Sequence, residues 1–164
     1  MSNNFTVGDL IPAIKDVIEN GNEASFTPNG RSMRPFIIGG KDKVSLIKPV
    51  FPLKKYSVPL YLRKDGSVIL HRIVKTFIKS DGTTGYVMRG DNTFSDEYTV
   101  EEKDIIAVMN HFMHNGKWHC ASSPFYIFLC KTWCFIYPLR RFFYRLSRLF
   151  KRAAIKTAHI IRKK

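Results

Sequence analysis

A serine, a histidine and a group of acids follow one another in this chain in an order that could support acyl transfer. Ser32 lies in Gly-Arg-Ser-Met-Arg-Pro at 30–35 and His71 in His-Arg-Ile at 71–73. Asp91 lies in Gly-Asp-Asn at 90–92, with Asp96 and Glu97 shortly after. A serine hydroxyl is a weak nucleophile at neutral pH until a neighbouring base takes its proton. Imidazole titrates near neutrality, so His71 suits that role with little tuning. A carboxylate on the far ring nitrogen would orient it. Asp96 ranks first for that place, Asp91 second and Glu97 third. Asp91 is expected chiefly to brace its own loop by accepting backbone N–H groups.

These residues need a scaffold to bring them together. Leu10, Ile14, Val17 and Ile18 form the apolar stripe of a first helix, capped by Thr6 or Asp9 and ended by Asn20-Gly21. After it the hydrophobic period becomes two. Strands are expected at 24–27, 43–47, 58–63, 67–74, 86–89 and 105–113. Turns at Gly39-Gly40, Lys64-Asp65-Gly66, Ser80-Asp81-Gly82 and Asn115-Gly116 separate them. Many short strands with tight turns favour a mainly β, barrel-like domain over a parallel α/β sheet. His71 falls near the end of a firm strand, a stable mount for a base.

The three boxes, Ser-Met-x-Pro at 32–35, His-Arg-Ile at 71–73 and Gly-Asp-Asn with Asp96, resemble those of the S24/S26 serine peptidases. The similarity runs from about Phe26 to Val108, and it is to the signal-peptidase-like branch in which His replaces the usual Lys base. The resemblance implies a small signal-peptidase/LexA-like β barrel with Ser32 as nucleophile and His71 as general base, and no cofactor. It also implies leader or signal-like peptide substrates with small residues before the scissile bond. The Ser32 backbone N–H would be the first oxyanion donor. Related enzymes often carry a hydroxyl two residues before the nucleophile. This chain has Gly30 there, so a second donor is not apparent. Two other readings stand beside this one: an inactive or weakly active relative that binds peptides at a membrane, and a LexA-like self-cleaving regulator. No helix-turn-helix precedes the core, and His71 stands where that regulator family has lysine.

The charge is unevenly distributed. Residues 1–104 hold 15 Lys/Arg and all 13 Asp/Glu, while residues 105–164 hold 12 Lys/Arg and no acid. Basicity therefore belongs to the tail. Three organisational pieces follow: a helix over 1–22, a peptidase-like core over 23–121, and an apolar, aromatic and then basic segment over 122–164. The apolar run after Ser123 is interrupted by Lys131 and falls short of the roughly 20 residues a transmembrane helix needs. Beyond it, Phe142 and Phe143 share one side of a helical pattern, and Arg141, Arg145, Arg148 and Arg152 fall mainly on another. Such a helix suits a membrane surface best, docking on its own domain or a partner next, and nucleic acid least. Met1–Asn29 lacks a basic stretch followed by a long apolar run, so no secretory signal is expected there. A peripheral-membrane or cytoplasmic protein is the resulting expectation.

Cys120, Cys130 and Cys134 are an odd set, better read as free thiols than as a disulfide framework. His111, His114, His119 and Cys120 could suggest zinc. Their spacing matches no standard site, and alternation along a strand would send His111 and His114 to opposite faces. No metal is expected.

Overall fold

The computed structural model describes residues 11–161, with Thr99 and residues 151–161 described by backbone alone. Thr6 and Asp9 lie outside this range. Helix α1 (Ile11–Glu19) buries Ile14 and Ile18, and nine strands follow among the described residues. These are β1 (Ala24–Phe26), β2 (Lys43–Ile47), β3 (Pro59–Leu62), β4 (Val68–Leu70), β5 (Arg72–Ile78), β6 (Thr84–Arg89), β7 (Glu97–Glu101), β8 (Ile105–His114) and β9 (Lys117–Cys120). Helices α2 (Pro124–Phe135) and α3 (Tyr137–Ile161) complete the described chain.

The fold is mainly β and antiparallel, but the strands do not close into a barrel. Two sheets form instead, one in the order β1-β2-β8-β3-β4 with β9 also on β8, the other β5-β6-β7. β8 holds the first sheet together. β2 runs along one of its sides, while β3 and β9 share the other, opposite residues 105–108 and 111–114. The edge strands β1 and β4 have three residues each and do not pair with one another. Asn115 and Gly116 both have positive φ, as a two-residue hairpin turn between β8 and β9 requires.

The chain changes sheets at His71. Leu70 ends β4 in the first sheet and Arg72 opens β5 in the second, so the histidine occupies the crossing point. The stretch expected as a single strand over 67–74 is thus two strands in two sheets. The buried apolar residues form two clusters, the smaller one where the two sheets meet. The larger core joins Ile14 and Ile18 to Met33, Ile37, the first sheet, Tyr126 and Cys130. The smaller packs Tyr61 and Ile105 against Ile73, Tyr86, Met88 and Val100.

By its internal contacts the chain divides into two units, residues 1–130 and 131–164. The first two turns of α2 therefore go with the β core, through Tyr126 and Cys130. In the second unit, Phe142, Phe143, Arg141, Arg145 and Arg148 are exposed along α3, which also contains Arg152. No described helix is long and apolar enough to cross a membrane.

Candidate functional site

Ser32 sits in a turn over residues 32–36, closed by a hydrogen bond from the Ile37 N–H to the Met33 carbonyl at 3.0 Å. Met33 and Ile37 anchor the turn by burial in the larger core. Ser32 itself stays half-buried on the wall of a cavity of about 180 Å³. Leu60, Val68 and Leu70 line the same cavity, so it lies between the serine turn and the strands that lead to His71. Among the described residues the Ser32 N–H has no protein acceptor, which leaves it able to donate. Asn29 and Ser32 are the polar side chains on the cavity wall, and Gly30 lies between them.

The Gly-Asp-Asn loop ties the serine turn to the histidine. The Asn92 N–H donates to the Ser32 carbonyl at 2.6 Å, and the Asn92 side-chain amide donates to the Arg31 carbonyl at 3.3 Å. Gly90 is held where no side chain fits. A methyl group on it would stand 2.8 Å from both His71 Nε2 and the Ser32 carbonyl oxygen. These two atoms are therefore separated by no more than twice that distance. No hydrogen bond joins the Ser32 hydroxyl to the imidazole in this structure. Such contacts often tighten only when substrate binds.

Burial removes His71 from solvent and lowers its imidazole below the ordinary 6.5, with the nearby Glu97 carboxylate acting in the opposite sense. A neutral ring is the form a general base needs. Its Nδ1 lies 3.0 Å from Glu97 Oε1 and 3.5 Å from the Tyr61 hydroxyl. Glu97 has further donors. The Tyr61 hydroxyl reaches Oε2 at 2.7 Å, Arg63 Nε reaches the same oxygen at 2.7 Å, and Arg63 Nη2 reaches Oε1. Partial burial alone would raise the Glu97 carboxyl, but the Arg63 and Tyr61 hydrogen bonds and His71 together hold it below the ordinary range.

The acid beside His71 is therefore Glu97, which ranked third from the sequence, and neither Asp96 nor Asp91. Asp96 pairs with Arg89 through two hydrogen bonds, at 2.5 and 2.9 Å. Consecutive residues entering a strand project to opposite sides, so one step at the start of β7 separates the two carboxylates. Asp91 is buried and grips Arg72 with two 2.7 Å bonds. Arg72 is wholly buried and also donates to the Tyr56 carbonyl and the Tyr126 hydroxyl. Asp91 thus braces the loop through the Arg72 side chain of β5.

Tyr61 and Arg63 were not singled out from the sequence. They stand two residues apart in the expected strand over 58–63, so alternation already put them on one face. The histidines outside the site have separate surroundings. His111 lies 3.7 Å from Glu23, His114 lies 2.8 Å from Asp42, and His119 stacks on Phe112. No group of three or more potential metal ligands forms among the described residues.

No protein-family model matches this chain, and no curated protein matches it.

Proposed function

We propose that the protein is a serine endopeptidase of the signal-peptidase type, with Ser32 as nucleophile, His71 as general base and Glu97 as the acid that orients it. One observation carries the reading. The imidazole has a carboxylate on Nδ1, while its Nε2 faces the Gly90 position that it shares with the Ser32 main chain.

In this reading the Ser32 hydroxyl oxygen attacks the scissile carbonyl carbon and passes its proton to His71 Nε2. Glu97, held by Tyr61 and Arg63, keeps the other proton on Nδ1 and stabilises the imidazolium. The carbonyl oxygen becomes an oxyanion and accepts from the Ser32 N–H. Asn29 supplies the second donor in place of the hydroxyl absent at Gly30. Collapse breaks the C–N bond, and His71 returns its proton to the leaving amine. Water then repeats the sequence on the acyl ester. The residue before the scissile bond enters the apolar cavity beside Ser32, and α3 binds at a membrane surface.

The test is cleavage of a leader-type peptide. Ser32→Ala should abolish turnover with an unchanged melting temperature. Adding His71→Ala should make it scarcely worse, because the residues act as a unit. Turnover by Ser32→Ala at the rate of the parent chain overturns the mechanism. A second reading, an inactive relative that binds peptides, draws on the missing Ser32–His71 hydrogen bond. It predicts tight peptide binding and no covalent capture of a serine-directed acylating reagent.

A further inference from the structure

The smaller core joins the second sheet to β3, β4 and the start of β8 through Tyr61, Ile69 and Ile105. Beyond it the same face of the first sheet continues over β1, β2, the end of β8 and β9. There it holds a cavity of about 310 Å³ lined by Glu23, Ser25, Ser45, His111 and Trp118. Ser25 pairs with Ser45, and Ser45 with His111, so these three side chains stand in one row across three strands. Phe26, next to Ser25, lines the Ser32 cavity, so the two cavities lie on opposite faces of the sheet.

One carboxylate organises this cavity. Ser45, 3% exposed, donates its hydroxyl to Glu23 Oε2, and the Asn110 amide donates to Oε1 at 2.9 Å. The register of β8 slips here: His111 pairs with Ser45 and Met109 with Leu46, which leaves Asn110 as an extra residue. A bulge re-aims side chains, and Asn110 and His111 both turn to Glu23, the imidazole at 3.7 Å. The Ser45 and Asn110 hydrogen bonds hold the Glu23 carboxyl below its ordinary 4.5, so it is charged at neutral pH. Each oxygen that accepts one of these bonds keeps a second acceptor position. Lys43 shares the face, two residues from Ser45, yet among the described residues no Lys or Arg pairs with Glu23. Trp118, 48% exposed, adds an aromatic ring to the wall.

We propose that this cavity binds a guanidinium group, that of an arginine side chain in a peptide, between Glu23 and Trp118. A fixed carboxylate with an acceptor position open on each oxygen matches the two parallel N–H groups of a guanidinium fork. An indole ring beside it attracts the same cation over its face, and the planar guanidinium stacks there as an ammonium does not. An anion would meet the Glu23 charge, and a purely apolar group would leave that charge unpaired. The site goes beyond the peptidase reading and does not depend on it.

Titration of the full chain with N-acetyl-arginine methylamide tests the proposal, with the citrulline counterpart as a probe of the same shape and no charge. The chain has two tryptophans, so Trp118→Leu identifies the Trp118 indole N–H in the NMR spectrum. The arginine probe should shift that signal to saturation, and the citrulline probe should bind on the order of tenfold more weakly, as loss of a charge-assisted hydrogen bond predicts. Glu23→Gln, which keeps the side-chain shape, should weaken the arginine probe by a similar factor. Circular dichroism checks that the variant melts like the parent. If it does not, calorimetry on Trp118→Leu takes its place, and parent-like affinity there overturns the proposal. Absence of a saturable shift with the arginine probe also overturns it, as does equal binding of the citrulline probe. Parent-like binding by a folded Glu23→Gln does the same, and would place the probe on other acids of the chain. No outcome involves cleavage, so failure of the peptidase mechanism leaves each of them readable.

Discussion

The backbone N–H of Asn92 donates to the carbonyl oxygen of Ser32 at 2.6 Å, so a loop sixty residues downstream fixes the main chain of the candidate nucleophile. Main-chain pairing of this kind tolerates no displacement of either strand of chain. Gly90, two residues earlier, fills the remaining space between Ser32 and His71.

Gly90→Ala should therefore separate the pair. Its new methyl group would meet His71 Nε2, the Ser32 carbonyl and the Thr93 methyl, each at 2.8 Å. Overpacking at such a site costs about 1–3 kcal/mol, which urea denaturation would register. Peptide cleavage should fall by far more than the loss of folded protein accounts for.

The three carboxylates should respond differently to amidation. Glu97→Gln should lower kcat on the order of 10²–10⁴-fold, as removal of an orienting acid does. Asp96→Asn loosens only the Arg89 pair and should leave kcat nearly unchanged. Asp91→Asn leaves the buried Arg72 without its counter-charge and should destabilise the fold by about 3–5 kcal/mol. Measuring kcat and urea midpoints side by side separates the three. A larger kcat effect for Asp96→Asn than for Glu97→Gln would reverse the assignment.

Acid should weaken both activity and stability. The His71 imidazole is lowered below 6.5 in the fold, so the unliganded protein keeps a neutral ring there, and if the proposed peptidase reading holds the acid limb of kcat/KM should lie below that value. In the unfolded chain His71 takes up its proton near 6.5, before the folded chain does. Unfolding therefore binds protons, and the His71 contribution is whole above 6.5 and declines as pH falls toward the folded value. Glu97, lowered from 4.5, adds a second loss that begins as pH drops through that region. Urea midpoints taken from neutrality down to about pH 4 should fall in that order. In Glu97→Gln the acid limb should move further toward acid, because the carboxylate that favours imidazolium is gone.

Asn29→Ala tests the second oxyanion donor. Loss of one preorganised donor costs on the order of 10²–10³-fold in kcat. KM should change little, and because Asn29 is exposed the melting temperature should hold. An unchanged kcat would leave the Ser32 N–H as the single donor of this chain.

Much of the scaffold was legible because apolar periodicity reports burial directly. Lys43–Ile47 was read as a strand with its observed limits, and Ile14 and Ile18 of the expected stripe are the buried residues of α1. β7 was missed because Glu97, Glu101 and Glu102 crowd its ends, and acids are poor strand formers. Its signal was the run Tyr98-Thr99-Val100. The break at His71 left no trace in alternation, since residues on both sides keep strand geometry while the chain passes from one sheet to the other. The choice between Asp96 and Glu97 was a one-residue ambiguity, and partners distant in sequence, Arg89 and Arg63, resolved it.

Arg72 sets where this protein can be shortened. Its guanidinium is closed off on one side by Asp91 and on another by the hydroxyl of Tyr126, two residues into α2. A chain ended at residue 122 loses that hydroxyl, the Tyr126 ring beside the guanidinium, and the Cys130 side chain. Water would then reach a cation that the intact protein keeps wholly dry. A fragment that stops after Cys130 keeps all three groups. Its independent folding, and the collapse of the shorter piece, would place the end of the autonomous core inside a helix rather than in the loop that precedes it.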